Sequence, residues 1–184
     1  MKVTINSSAS QENIKKVYID ESQKVISYMA DQGCELNWGS GKFCIMGICY
    51  DEFSKRGNKI HGYTTEKYVF ELEDLPKAEH KILDDTFLLK RALFNESEII
   101  VYLPGGTGTV SEFFCHLEEV RSNDKSQKLI IYNIDGWFNH FLEGIKFLVD
   151  EKLNTPSTYD SYYVVNTFEE FKELFEKIKA DKVD

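Results

Sequence analysis

The residues with the clearest chemical content are Pro104, Gly105, Gly106, Thr107, Gly108 and Thr109, followed one helical turn later by Glu112. Pro104 ends an apolar run, and the glycines allow positive φ and close approach of backbone to a ligand. A helix opening at this point presents unpaired N–H groups and the positive end of its dipole. Such a turn is an anion site that favours phosphate, and Thr107 and Thr109 add hydroxyl donors. Glu112 lies about one turn inside the helix, so its carboxylate faces the same pocket.

A second glycine turn, Gly39-Ser40-Gly41, precedes Lys42-Phe43-Cys44-Ile45-Met46-Gly47. GSGK resembles part of a P-loop, but the GxxxxGK(S/T) pattern fails: no glycine stands five residues before Gly41, and Phe43 follows the lysine. A backbone turn against a sugar or base fits Gly39 and Gly41 better. Met46 and Gly47 let the next helix pack close to the sheet. Ser7-Ser8, after the first apolar run, offers either hydroxyl donors to phosphate or ordinary turn serines.

Other chemistries lack their residues. His61, His80, His116 and His140 are scattered, without HExxH or paired spacing, so no metal site is expected. No GxSxG elbow supplies a hydrolase serine. The net charge of −9 comes without a basic stripe, which disfavours a nucleic-acid partner. Cys34, Cys44, Cys49 and Cys115 form no CxxC pair and sit in apolar runs, as buried reduced thiols do. No apolar stretch approaches the ~20 residues of a membrane span, and MKVTINSSAS lacks the apolar core of a signal peptide. A soluble cytoplasmic protein is expected.

The elements that must position these turns alternate. At 184 residues the chain fits one domain, 1–184, with a charged tail over 180–184. Strands are expected at Lys2–Asn6, Cys34–Trp38, Lys59–Gly62, Glu98–Leu103, Lys128–Asn133 and Tyr162–Val165. Helical period marks Glu12–Gln32, Phe43–Lys55, His80–Asn95, Gly108–Ser122, Trp137–Glu151 and Phe168–Lys179. Between Thr64 and Ala78 the pattern is ambiguous, with an edge strand expected at Tyr68–Leu72. Alternation of this kind predicts a Rossmann-like, doubly wound α/β fold, a mainly parallel sheet with helices on both faces. In such sheets ligands bind beyond the carboxyl ends of the strands, where strand order reverses. All three turns follow strands, so they meet at one rim.

Taken together, the two glycine motifs resemble the Lonely Guy (LOG) family of cytokinin riboside 5′-monophosphate phosphoribohydrolases, often mislabelled lysine decarboxylases. The family's PGGxGTxxE motif is met in full by Pro104, Gly105, Gly106, Gly108, Thr109 and Glu112. Its GGGxxGLMG-like turn is similar to Gly39-Ser40-Gly41 with Ile45-Met46-Gly47, serine replacing the middle glycine. Tyr132 to Leu153 looks like the family's strand, Asp-Gly turn and helix after the site, and Ser7-Ser8 corresponds to its first phosphate-contacting loop. The likeness is thin from Thr64 to Glu79. Where the family usually places Arg-Lys, an ungapped alignment puts Leu89-Lys90; Arg91 can substitute for the missing arginine by a shift along the helix.

The resemblance implies hydrolysis of the N-glycosidic bond of a purine nucleoside 5′-monophosphate, giving free base and ribose 5-phosphate. Glu112 is then the catalytic carboxylate, stabilising positive charge at C1′ and orienting the attacking water. Ser8 and Gly106 to Thr109 hold the phosphate, and Lys90 or Arg91 contacts the substrate. Neither a metal nor an organic cofactor is expected, since no lysine has the context pyridoxal phosphate requires. Two alternatives stay open: a nucleotide sensor that does not cleave, and base transfer as in nucleoside deoxyribosyltransferases. The family also implies a homodimer, with apolar residues on the helices carrying Glu112 and Leu88 either at the interface or covering the sheet.

Overall fold

A computed structural model describes residues 1–123 and 125–181. The strands are β1 (Lys2–Asn6), β2 (Glu35–Trp38), β3 (Ile60–Thr65), β4 (Glu79–Leu83), β5 (Ile99–Tyr102), β6 (Lys128–Tyr132) and β7 (Tyr163–Val165). Helices α1 (Lys16–Asp31), α2 (Cys44–Lys55), α3 (Thr86–Asn95), α4 (Thr107–Asn123), α5 (Asn139–Asp150) and α6 (Phe168–Ala180) alternate with them, and a 3₁₀ segment, Glu66–Asp74, follows β3. All seven strands form one sheet in the order β4-β3-β2-β1-β5-β6-β7, every pairing parallel. This is the Rossmann-like, doubly wound arrangement expected from the alternating pattern.

The sheet is buried on both faces, so its central strands read as continuous apolar runs. Along β5, Ile99 and Val101 point into one core while Ile100 and Tyr102 point into the other, the two-residue period of a strand. The first core is closed by Met29 of α1, Phe53 of α2 and Phe171 and Phe175 of α6. The second is aromatic: Phe113 packs edge-on against Tyr102 and Phe138, with centroids 5.2 and 4.9 Å apart.

Two expectations are corrected. The periodic run His80–Asn95 is divided: β4 occupies Glu79–Leu83, in parallel register with β3 from His61↔Glu79 to Thr65↔Leu83. Helix α3 begins only at Thr86, where Asp85 Oδ1 accepts the N–H groups of Phe87 and Leu88 at 2.7 and 2.8 Å, a side-chain cap that ends the preceding extended segment. Edge-strand β4 is exposed or half-buried throughout, so no apolar alternation marks it. Tyr68–Leu72, expected as an edge strand, lies instead within the 3₁₀ segment.

Smaller differences follow the same logic. The first long helix starts at Lys16 rather than Glu12. Cys34 and Cys49 are buried, and burial pushes the Cys34 thiol up to about 11, but Cys115 is exposed. In the charged tail, α6 runs to Ala180, and residues 182–184 lie outside those described. No helix among the described residues is long and apolar enough to cross a membrane.

Candidate functional site

Strand order reverses between β1 and β5, which pair directly with Asn6 opposite Tyr102. Loops leaving two neighbouring strands in opposite directions open a crevice at that point. The crevice here is a cavity of about 570 Å³ lined by the loops after β1, β2, β3 and β5 and by one edge of α3.

Backbone hydrogen bonds tie the loops together. Ser8 N–H donates to Pro104 O at 3.0 Å, joining the loop after β1 to the turn after β5. Met46 N–H donates to Ser8 O at 3.1 Å, joining α2 to the same loop. The Met46 side chain then fills the space above the second turn: a Cβ on Gly39 or Gly41 would lie 3.0 or 2.9 Å from it. Between them Ser40 adopts a left-handed φ of 56°, a conformation that glycine takes without strain. Its Oγ stands 3.2 Å from His80 Nδ1, while His80 Nε2 faces Leu75 O at 3.0 Å. A ring nitrogen facing a carbonyl must carry the proton, so Ser40 donates to Nδ1. The serine hydroxyl thus braces its own turn.

At one end, Gly106, Thr107, Gly108 and Thr109 line the cavity where α4 begins. The first-turn N–H groups have no partner within the helix. Thr109 is buried, and its hydroxyl donates to Ser7 O at 3.3 Å. Pro104 and Gly105 shape the turn from behind and do not line the cavity. Ser7, Ser8, Gly39, Gly41 and Met46 do.

Glu112 lies half-buried on the cavity wall, with no hydrogen bond to its carboxylate among the described residues. Desolvation pushes its pKa up to about 7, against the opposing pull of Lys90. A carboxyl so placed divides between acid and base forms at neutral pH.

Helix α3 meets the cavity through Thr86 and Leu89, not through Lys90 or Arg91. Successive helix residues point about 100° apart, so Lys90 and Arg91 turn into an adjoining cleft with Phe87, Phe94 and Phe114. The Lys90 ammonium donates to Ser111 Oγ on α4. The Lys90 carbonyl accepts from His116 Nε2 at 3.0 Å, and His116 Nδ1 accepts from Tyr102 Oη at 2.6 Å. This chain clamps α3, α4 and β5 together, and burial lowers the His116 pKa to about 4.

Sequence reasoning passed over Asn6, Tyr68, Glu71, Thr86 and Leu89 as cavity residues. Asn6 Nδ2 is buried without a hydrogen-bond partner. Tyr68, Glu71 and Asp74 recur every three residues, which is a legible sign of one face of a 3₁₀ helix. No Lys, Arg or His lines the cavity among the described residues. Nor does any group of three or more His, Cys, Asp and Glu converge to hold a metal among them.

A family model described as "Possible lysine decarboxylase" matches residues 46–178. A rice protein (Oryza sativa subsp. japonica) named "Probable cytokinin riboside 5′-monophosphate phosphoribohydrolase LOGL6" is 24% identical over 172 residues, 93% of this chain and 68% of its own length. A cytokinin riboside 5′-monophosphate phosphoribohydrolase of Mycobacterium tuberculosis is 23% identical over 149 residues, 80% of each chain. Among solved structures, the molybdenum cofactor binding protein of Rippkaea orientalis shares the fold at a TM-score of 0.66 and 13% identity, covering 96% of both chains. The Moco carrier protein of Chlamydomonas reinhardtii does so at 0.68 and 10%, covering 98% of both. The matched model spans most of the chain, including the complete Pro104–Glu112 motif, and this chain belongs to the family it describes, which is the Lonely Guy family of these curated relatives.

Proposed function

We propose that the cavity hydrolyses the N-glycosidic bond of purine nucleoside 5′-monophosphates, releasing the base and ribose 5-phosphate. The observation that carries this reading is Glu112: a carboxylate on the wall of a phosphate-type turn, with its pKa raised to about 7. The names of the curated relatives support the same chemistry.

The phosphate is held at the start of α4 by main-chain N–H groups of Gly106 to Thr109, with hydroxyls from Thr107 and Ser8. This places the sugar beside Glu112. As the bond from C1′ to the base breaks, positive charge builds on the sugar, and the ionised Glu112 carboxylate stabilises it. The same carboxylate takes the proton from the water that adds to C1′; the base leaves with the bonding electrons and is protonated from solvent, to which Glu112 then returns its proton. Lys90 acts from behind, holding Glu112 nearer its ionised form.

The test is incubation with AMP and with isopentenyladenosine monophosphate while watching for free base. Release from at least one, abolished by Glu112→Ala, is expected; no release from either overturns hydrolysis. A second reading, a binder that does not cleave, is favoured by Leu89 on a cavity wall that carries no cation among the described residues. Calorimetry with recovery of intact nucleotide after long incubation supports it.

We further propose that the protein works as a homodimer through α3, α4 and α5. Phe87, Leu88, Phe114 and Phe141 are 74%, 38%, 38% and 36% exposed there, whereas Phe94, Phe113 and Leu117 serve the core. Light scattering that shows a monomer at micromolar concentration refutes an obligate dimer.

A further inference from the structure

The cavity has two ends, and only one is explained by phosphate. The far end lies under the 3₁₀ segment Glu66–Asp74, which leaves β3. In the sheet β3 stands three strand intervals from β5, about 14 Å at the usual spacing. An extended nucleotide with its phosphate at α4 reaches across that span with its base, beneath Glu66–Asp74.

The segment presents one face there. In a 3₁₀ helix residues three apart lie over one another, so Tyr68, Glu71 and Asp74 share a side. Tyr68 and Glu71 line the cavity. Asp74 pairs with the Lys42 ammonium at 2.5 Å, and Glu71 Oε2 accepts the Lys42 main-chain N–H at 3.3 Å. Lys42 therefore docks the segment onto the second glycine turn through its main-chain N–H and its ammonium. Glu71 accepts from Lys42 through Oε2, which leaves Oε1 for a ligand. The far end of the segment is fixed through Leu75 O, His80 and Ser40.

Tyr68 is 44% exposed, with the Lys67 ammonium 5.2 Å from its ring centroid. A cation over one ring face leaves the opposite face for a flat heterocycle. An acceptor-only carboxylate beside that ring takes an N–H donor and repels a carbonyl oxygen. On the nucleotide reading above, we infer that Tyr68 and Glu71 select the base: the tyrosine stacks on it, and Glu71 accepts an N–H from an exocyclic amine. Bases carrying an amino or singly substituted amino group at that position fit; those with an oxo group there do not. Tyr68 and Glu71 set specificity and take no part in bond breaking.

The experiment compares AMP with IMP, which differ at that position, by base release and by calorimetric affinity, on the wild type and on Glu71→Gln. The wild type is expected to favour AMP by about tenfold or more, because a site built for an N–H donor rejects the analogue lacking it. Glu71→Gln brings the ratio near one, since the amide can also donate to the oxo group. Ribose 5-phosphate, which has no base, binds both proteins equally. Tyr68→Leu weakens AMP and IMP together by about tenfold, in proportion to lost stacking. Equal handling of AMP and IMP by the wild type, or an unchanged ratio in Glu71→Gln, overturns the inference. If no nucleotide releases base, hydrolysis fails, but the affinity ratio still decides the role of Glu71.

Discussion

Thr109 and Gly105 occupy one another's space: a Cβ on Gly105 would lie 2.1 Å from Thr109 Oγ1, the hydroxyl that donates to Ser7 O. The contact locks the start of α4 to the loop after β1, and it requires that the residue at 105 have no side chain. Gly105→Ala therefore destabilises the fold by about 1–3 kcal/mol, the usual cost of overpacking, read from urea unfolding. Gly106 has open space at its Cβ position. Gly106→Ala changes stability by less than about 0.5 kcal/mol yet weakens ribose 5-phosphate binding, because the added methyl stands where the ligand approaches.

On the proposed mechanism Glu112 couples catalysis to stability. Its pKa rises from 4.5 unfolded to about 7 folded, so the folded state binds the extra proton between those values. The resulting cost is absent below pH 4.5, grows as pH rises, and is complete above about pH 7. Glu112→Gln removes it and stabilises the protein by on the order of 1–3 kcal/mol at pH 8, with little change at pH 4.5. Base release falls by about 10²–10⁴-fold. A variant no more stable at pH 8 than the wild type contradicts a desolvated carboxylate.

The wild-type rate is expected to carry the signature of this group. Since the proposed mechanism needs the ionised form, kcat/KM is expected to rise with pH through an apparent pKa near 7 and to level off above it. A flat profile from pH 5 to 9 assigns the proton transfer elsewhere.

Leu89→Arg tests a wall on which no Lys, Arg or His stands among the described residues. An added guanidinium in the cavity attracts phosphate and favours ionised Glu112. Nucleotide KM is expected to fall about 3–10-fold, with the acid limb of the pH profile moving to lower pH. An unchanged acid limb places the new side chain away from Glu112.

His116 ties acid stability to the joint between α3 and α4. It is 1% exposed, and burial lowers its pKa from 6.5 to about 4. The unfolded chain takes up its proton first, so this stability is present above pH 6.5 and is lost as pH falls towards 4. The loss amounts to about 3 kcal/mol at most. His116→Asn keeps a polar side chain and should unfold more readily at pH 7 but show a flatter decline between pH 6.5 and 4.

The turn that opens α4 was legible from residue types alone. Glycines beside Thr107 and Thr109, with Glu112 one turn on, mark a helix start through local backbone geometry. The parallel sheet was equally readable, because β5 and β6 are buried on both faces and carry apolar runs. Where burial was incomplete the reading failed. Edge strand β4 owes its conformation to hydrogen bonds with β3, 18 residues earlier in register at His61↔Glu79, and tertiary pairing of that kind leaves no local period.

The sequence by itself determined the turns, the core strands and the carboxylate one turn inside α4, since each depends on neighbours within a few residues. Only the tertiary structure decided which side chains meet across the crevice. It turned Leu89 inward and Lys90 and Arg91 into the next cleft, because helix phase follows from how α3 docks on α4. It likewise brought Tyr68 and Glu71 to a rim shared with Glu112, because sheet order, not chain order, sets that distance.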